Sequence, residues 1–317
     1  MVKTDNILTS HKGKKVYVAG HTGLAGSSIL NYLKNKDCEI LTELSENLDL
    51  RIQNDVGKWF KKNKPDLVYL CAATAGGIHA NYSKPAEFIY NNLAIQNAII
   101  HNAHLYEVEK LCFLGSSCIY PRLSPQPMKE SALLTGPLDP YNIWYAIAKI
   151  AGIYLCDGYS KQYNLDSICV MPANLYGPRD KFTKSNSHVV AALLDRFHNA
   201  KIESKESVTV WGSGLAKREF LYSEDMADAC VFLMENYSSS EIINIGNGKD
   251  YEIRELAEMI SNCVGYHGEI KFDTTKPDGM PRKVVDVTKL NSIGWTSKTS
   301  FEEGIRKTYD WYLKNET

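Results

Sequence analysis

Tyr145 and Lys149 stand four residues apart in Tyr145-Ala-Ile-Ala-Lys149. In a helix that spacing turns both side chains to one face. A lysine ammonium beside a phenol favours the phenolate and lowers the tyrosine pKa. Such a tyrosine can pass a proton to a carbonyl oxygen as hydride reaches the carbon. Ser116 follows the apolar run Leu111-Cys-Phe-Leu114 and offers a hydroxyl that could polarise the same oxygen. A Tyr-x-x-x-Lys pair occurs on many helices, so its meaning depends on what precedes it.

What precedes it is a glycine turn, Gly20-His-Thr-Gly23-Leu-Ala-Gly26. It follows the β-branched run Lys15-Val-Tyr-Val-Ala19 and opens a helical pattern from Leu24 to Leu33. In that context the first glycine permits the tight turn, the second lets backbone approach a pyrophosphate, and the third lets helix and strand pack closely. The N–H groups of the helix N-terminus then face the phosphates. The spacing is Gly-x-x-Gly-x-x-Gly, which also suits a plain structural turn. The residues after the second strand, Thr42-Glu43, include no Arg or Lys, so locally they favour a free ribose 2′-hydroxyl (NADH) over a 2′-phosphate. Asp49-Leu50 could reach the adenine, or Asp49 could cap a helix.

The elements that must position these groups follow from periodicity. Strands are expected at Lys15–Ala19, Glu39–Leu41, Leu67–Cys71, Leu111–Leu114 and Ser167–Met171. Helical patterns run over Leu24–Leu33, Asn54–Asn63, Phe88–Ala103 and Ala146–Tyr163. Continuously apolar strands separated by helices imply βαβ units and a parallel sheet buried on both faces. The expected fold is therefore α/β, a Rossmann-type doubly wound parallel sheet with a smaller C-terminal α+β substrate domain. Residues 1–172 form the dinucleotide-binding domain in this reading, and 173–317 mainly a second domain. Past residue 172 the alternation loosens, with short runs at Val208–Trp211 and Ile242–Ile245, the latter expected to return to the main sheet.

Composition narrows the classes. The chain has 317 residues, 36 Lys+Arg against 37 Asp+Glu, and a formal net charge of −1, without the clustered basic residues that nucleic-acid binding requires. No apolar run is long enough to span a bilayer. Met1 to Lys15 is polar, without the apolar core of a signal peptide, so a cytoplasmic location is expected. Eight scattered cysteines form no Cys-x-x-Cys pair, and no metal site is expected. Cys38, Cys71, Cys112, Cys156, Cys169, Cys230 and Cys263 read as packing thiols; Cys118 stands apart. The lysines at 34–36 and 61–64 read as solvated surface.

Longer stretches carry a resemblance. Phe113-Leu-Gly-Ser-Ser-Cys-Ile-Tyr-Pro121, Tyr145-Ala-Ile-Ala-Lys-Ile-Ala-Gly152 and Asn174-Leu-Tyr-Gly-Pro178 are joined by Ser185-Asn-Ser-His188, Val210-Trp-Gly-Ser-Gly214, Arg218-Glu-Phe220 and Lys276-Pro-Asp-Gly279. Together they resemble the extended short-chain dehydrogenase/reductases, in particular the epimerase/reductases of GDP-4-keto sugars, from about Lys14 to Leu313. The resemblance implies that Ser116, Tyr145 and Lys149 form the reductase triad. It implies that Cys118 and His188 move protons at C3 and C5, the carbons acidified by a C4 ketone. An imidazole suits that task by its ordinary pKa, and a thiol when its surroundings lower its own. The resemblance further implies cofactor contacts from Gly20, Thr22, Gly23, Leu24 and Gly26, then from Asp49, Leu50, Ala72 and Ala73. Pro172, Asn174, Leu175 and His188 complete that set, with Tyr145 and Lys149. Arg196, Trp211, Arg218 and Lys283 match positions around the GDP moiety, beside Ser116 and Asn174 at the sugar; either base of Arg282-Lys283 could meet phosphate.

The implied reaction is NAD(P)H-dependent epimerisation of GDP-4-keto-6-deoxy-D-mannose at C3 and C5 and reduction at C4, giving GDP-L-fucose. A paralogue for another GDP-4-keto sugar, on a colitose or 6-deoxy-heptose route, is the alternative. A non-catalytic NAD(H)-sensing protein would be expected to lack Tyr145 or Lys149. The resemblance implies NADPH, yet the family commonly places arginines in the glycine turn and near the second strand, where this chain has His21-Thr22 and Thr42-Glu43. NADH therefore stays open. Trp144 adds a bulky residue beside the site. A homodimer packed through Phe88–Ala103 and Ala146–Tyr163 is implied, with Ile150 and Ile153 either at the interface or in the core.

Overall fold

The computed structural model describes residues 9–182, 187–276 and 278–316, apart from the side chains of residues 78 and 79. Ser185 and Asn186 of the segment before His188, and Pro277, lie outside the described residues. The first part of the chain runs β1 (Lys15–Ala19), α1 (Leu24–Leu33), β2 (Glu39–Leu41), α2 (Gln53–Asn63), β3 (Leu67–Leu70), α3 (Ile78–Ser83), α4 (Pro85–Leu105), β4 (Lys110–Leu114), α5 (Ile143–Tyr163) and β5 (Ser167–Pro172). The second part runs β6 (Asn174–Tyr176), α6 (Val189–Ile202), β7 (Ser207–Trp211), β8 (Lys217–Tyr222), α7 (Ser223–Asn236), β9 (Ile243–Ile245), β10 (Asp250–Glu252), α8 (Ile253–Val264), β11 (Glu269–Asp273), β12 (Arg282–Lys283), α9 (Thr288–Ile293) and α10 (Phe301–Asn315).

Six strands form one parallel sheet in the order β2-β1-β3-β4-β5-β9. This is the doubly wound α/β arrangement anticipated from the apolar runs. Leu67–Leu70 and Lys110–Leu114 are buried throughout, as strands covered by helices on both faces must be. The order reverses at β1, where the chain steps out to β2 and crosses back to β3. A ligand crevice is expected outside the strand carboxyl ends at such a switch.

Helix ends differ slightly from the periodicity. α4 begins at Pro85, whose fixed φ and missing N–H suit the first turn. α5 ends at Asn164 in the left-handed conformation, φ 58°. Ile150 and Ile153 of α5 are in the core rather than on an outer face.

A second buried cluster gathers Tyr176, Phe197, Tyr222, Leu256, Ile260, Phe301 and Ile305. It is built on the small sheet β10-β8-β12, with β6 pairing β8, and on the pair β7-β11. Buried polar side chains tie this part to the main sheet. The Glu219 carboxylate accepts the backbone N–H groups of Asn247 (2.7 Å), Gly248 (2.8 Å) and Val285 (2.8 Å). Asn244 of β9 donates to the carbonyls of Met128 and Asp286, at 2.9 and 3.1 Å. Among the described residues no helix is long and apolar enough to cross a membrane.

Candidate active site

Ser116 leaves the carboxyl end of β4 in extended conformation and caps a single 3₁₀ turn, Ser117–Ile119. Its hydroxyl accepts the Cys118 N–H at 3.2 Å. Two residues on, the Tyr120 hydroxyl donates to Asn244 Oδ1 at 2.6 Å, which holds the loop against β9. Ser116 and Cys118 are thus fixed by backbone capping and by an anchor on the neighbouring strand.

α5 brings the other two members of the predicted triad. The Lys149 ammonium donates to the Leu114 carbonyl at 2.7 Å, lies 4.9 Å from the Phe113 ring centre and 5.7 Å from that of Tyr145. Burial lowers its pKa to about 8, against a smaller opposing effect of Cys71. The phenol of Tyr145 departs from the sequence expectation. Burial pushes its pKa up, the nearby Cys118 adds to this, and a hydrogen bond with Ser116 opposes it. The reason is desolvation, because burial disfavours the charged phenolate. Tyr145 therefore rests as a neutral phenol, the form that donates a proton.

Cys118 faces the second part of the molecule. Lys283 Nζ lies 3.2 Å from its Sγ. Lys283 pairs with Arg218 across β12 and β8, and Arg218 feels the charges of Asp139, Asp278 and Cys118 after its own desolvation. Arg282, the other base considered for phosphate, is turned outward onto Asp250. His188 is the N-cap residue of α6, and its Nδ1 lies 3.3 Å from the buried carboxylate of Asp180. That hydrogen bond is the main cause of its raised pKa, with burial and Lys283 opposing. Ser116, Cys118, Tyr145 and Lys149 thus stand together with Lys283 beside Cys118, while His188 is within electrostatic reach of Lys283.

The glycine turn meets its requirements. A Cβ on Gly20 (φ 86°) would stand 2.6 Å from the Ala72 nitrogen, and one on Gly26 would stand 2.1 Å from the Gly20 oxygen. Gly23 is different: a Cβ there would meet nothing nearer than the Gly20 oxygen at 3.7 Å. Its missing side chain leaves the α1 N-terminus uncovered, without a side-chain cap or an acid in the first turn. This fits the diphosphate of a dinucleotide. Ala72 and Ala73 flank the turn beyond β3, and Asn92 clamps the next residue, accepting from Thr74 N–H and donating to its carbonyl, both at 2.9 Å. Asn174 is a strand residue donating to the Glu219 carbonyl at 2.7 Å, and Pro172 and Leu175 flank it in β5 and β6.

At the adenosine end, Asp49 is engaged by Arg51 at 2.7 and 2.9 Å and caps no helix, since α2 begins beyond Ile52. Leu50 is half-buried beside it. Glu43 is held below the usual carboxylate range chiefly by Asn47, so an anion stands after β2. Arg179, which sequence reasoning passed over, is near enough to His21 of the glycine turn to oppose its protonation. Its signal was its place directly after Asn174-Leu-Tyr-Gly-Pro178.

Arg196 and Trp211 lie apart from the triad. Arg196 donates to the Thr209 carbonyl at 2.6 Å and lines a cavity of about 360 Å³ with Phe182, Asn199 and Lys205. Trp211 is 63% exposed, with Lys276 over its ring at 5.7 Å, so it is a surface ring rather than a core one. Trp144 is also exposed. All eight cysteines are free; Cys112, Cys156, Cys169 and Cys230 are buried. Among the described residues no cluster of His, Cys, Asp or Glu is placed to hold a metal.

The model of the NAD dependent epimerase/dehydratase family matches residues 16–246. GDP-L-fucose synthase 1 of Arabidopsis thaliana is 53% identical over 307 residues, covering 96% of this chain and 95% of that protein. Among solved structures, a GDP-6-OMe-4-keto-L-xylo-heptose reductase from C. jejuni superposes with a TM-score of 0.92 at 36% identity, covering 97% of this chain and 99% of that one. A GDP-L-fucose synthetase from Naegleria fowleri bound to NADP gives 0.89 at 28% identity, covering 98% and 97%.

The Asp180 contact has a direct consequence. By NMR titration the His188 imidazole should hold its proton above pH 6.5, the ordinary midpoint. In Asp180→Asn the midpoint should fall, because the carboxylate that favours imidazolium is gone. An unmoved midpoint would show that Asp180 does not set the charge of His188.

Proposed function

The chain belongs to the NAD dependent epimerase/dehydratase family, and we propose that it converts GDP-4-keto-6-deoxy-D-mannose to GDP-L-fucose by epimerisation at C3 and C5 and reduction at C4. What supports this is that Cys118 lies beside the Ser116–Tyr145 pair and Lys283, whose charge also reaches His188. A reductase alone would need only the triad.

The chemistry follows from the groups. Ser116 and Tyr145 hold the C4 oxygen, as an oxyanion hole holds developing charge. The ketone acidifies the C–H bonds at C3 and C5. His188, whose hold on its proton Asp180 strengthens, serves as the acid, which leaves Cys118 as the base. Cys118 takes a proton from carbon, the bonding pair moves into an enolate, and His188 delivers a proton to the opposite face. Tyr145 then donates its phenolic proton to the C4 oxygen during reduction. The nicotinamide supplies the hydride when bound; Gly20, Thr22, Gly23, Leu24, Gly26, Lys149 and Arg179 would hold the dinucleotide.

The cofactor is NADPH by relation, with discrimination against NADH weakened by Thr22 and Glu43. Arg196, Trp211 and Arg218 hold the nucleotide, with Trp211 free to stack on guanine. The second core, within 173–317, carries the sugar nucleotide, and 1–172 the dinucleotide. The enzyme works in the cytoplasm, consistent with eight free thiols. It is a homodimer: α4 and α5 pack together and leave Tyr90 of α4 and Ile147 and Tyr154 of α5 exposed for a second copy to cover.

Incubation with the ketosugar in D₂O tests the reaction. GDP-L-fucose carrying deuterium at C3 and C5 is expected, with NADPH favoured over NADH by less than about tenfold, since Thr42-Glu43 after β2 offers no cation to bind the 2′-phosphate. Absence of deuterium at both carbons would rule out the epimerase half, and faster turnover of a colitose or heptose precursor would reassign the substrate. Sedimentation should give about twice the 35.6 kDa chain mass, falling to one chain in Ile147→Glu/Tyr154→Glu. A monomeric wild type would contradict the dimer.

A further inference from the structure

Glu219 is a buried carboxylate that the proposed reaction leaves without a task. It is 1% exposed. Among the described residues no lysine, arginine or histidine stands within ion-pair distance of it, although Lys217 and Arg282 nearby are paired with Glu252 and Asp250. Its charge is met by backbone dipoles instead. Oε1 accepts the N–H groups of Asn247 and Gly248 at 2.7 and 2.8 Å, and Oε2 accepts that of Val285 at 2.8 Å. Without those donors a carboxylate so deeply buried would be costly.

The clasp is built closely. Side chains alternate along a strand, so Glu219 of β8 turns the same way as Leu221, which lies in the main core. Phe220, on the other side, lies in the second core. A Cβ on Gly246 would stand 2.3 Å from Glu219 Oε1 and 2.6 Å from Val285 Cγ2, so the turn after β9 closes on the carboxylate only because residue 246 has no side chain.

What the clasp holds bears on the substrate. β12 pairs with β8 at only two residues, which sets Lys283 opposite Arg218. Two ladder positions are a weak hold on register, and the bond from Val285 N–H to Glu219 fixes the chain two residues beyond Lys283. The backbone of Glu219 acts at the sugar end as well, since its carbonyl accepts Asn174 Nδ2 at 2.7 Å. Glu219 thus joins its neighbour Arg218 to Lys283 and to Asn174, three groups matched to the sugar nucleotide, while its own carboxylate faces away from them.

We propose that Glu219 is a positioning residue for the sugar nucleotide: by clasping the backbone at Val285 and at Asn247–Gly248, its carboxylate sets Lys283 against Arg218 at the spacing a diphosphate requires. This rests on the reading of the substrate as a GDP sugar. Two cations held at a fixed spacing bind a diphosphate more tightly than the same two on a loose strand, because the ordering cost is met before binding. Loosening β12 leaves both cations present but unspaced. The groups at the sugar carbonyl, carried by β4 and α5, stay in place.

Equilibrium binding of GDP-mannose and of NADPH by Glu219→Gln tests this. At about pH 8 the comparison is made with the ionised form, since burial raises the Glu219 carboxyl to about 7 against the opposing N–H bonds. The substitution keeps the shape but turns an amide N–H toward backbone donors. The dissociation constant for GDP-mannose should rise about tenfold, while that for NADPH stays within about twofold of wild type. Amide hydrogen exchange at Val285, Asn247 and Gly248 should quicken in the same variant. Should it not fold, Glu219→Asp, one methylene too short to reach both anchors, takes its place with the same expectation. GDP-mannose binding within about twofold of wild type would overturn the proposal, as would an equal loss for both ligands, which marks a general loosening of the fold. A wild type that does not bind GDP-mannose would sink the GDP-sugar reading and the proposal with it, a result distinct from equal binding by wild type and variant.

Discussion

The site depends on one hydrogen bond, from the buried ammonium of Lys149 to the carbonyl of Leu114 at 2.7 Å. Leu114 is the last residue of β4, and the loop bearing Ser116 and Cys118 starts from it. The bond fixes α5 against the strand end, so that Tyr145, one helical turn before Lys149, comes opposite Ser116. Its loss would leave a polar group buried without a partner, which costs about 1–3 kcal/mol or more. Burial, rather than this bond, keeps Tyr145 from becoming a phenolate in the free protein.

A second constraint is electrostatic. The chain as a whole is nearly neutral, with a formal net charge of −1. The groups facing the crevice are not: Lys149 and Lys283 are buried cations, Arg218 is a partly buried one, and the uncovered N-terminus of α1 adds its dipole. A positive interior suits two anionic nucleotides and an enolate between them. Asp180 works in the opposite sense at one point, raising the pKa of His188 within this positive field. Separate local charges thus set the acid and the base, whereas net charge describes only the surface.

The parallel sheet was legible because its strands are continuous apolar runs and its glycines stand where helix and strand must touch, as Gly20 and Gly26 do. Tyr145 and Lys149 were legible because their relation is local to one helix. The relations across sequence were not. Lys283 reaches Cys118 from 165 positions away, through a two-residue strand that no periodicity announces. Asp180 was unmarked because its effect depends on the orientation of His188. The direction of the Tyr145 shift was misjudged because burial is a tertiary fact. Asp49 read equally as an adenine contact or a helix cap, and only the fold shows its carboxylate on Arg51.

The central claim is that one carbonyl, held by Ser116 and Tyr145, is served by two proton carriers on opposite faces of the sugar. A crystal structure with GDP-L-fucose and the oxidised cofactor addresses it most directly. The sugar O4 should lie within hydrogen-bond reach of Ser116 Oγ and Tyr145 Oη, with Cys118 Sγ and His188 on opposite sides of the ring near C3 and C5. A sugar whose O4 points away from that pair, or with both groups on one face, would contradict the account.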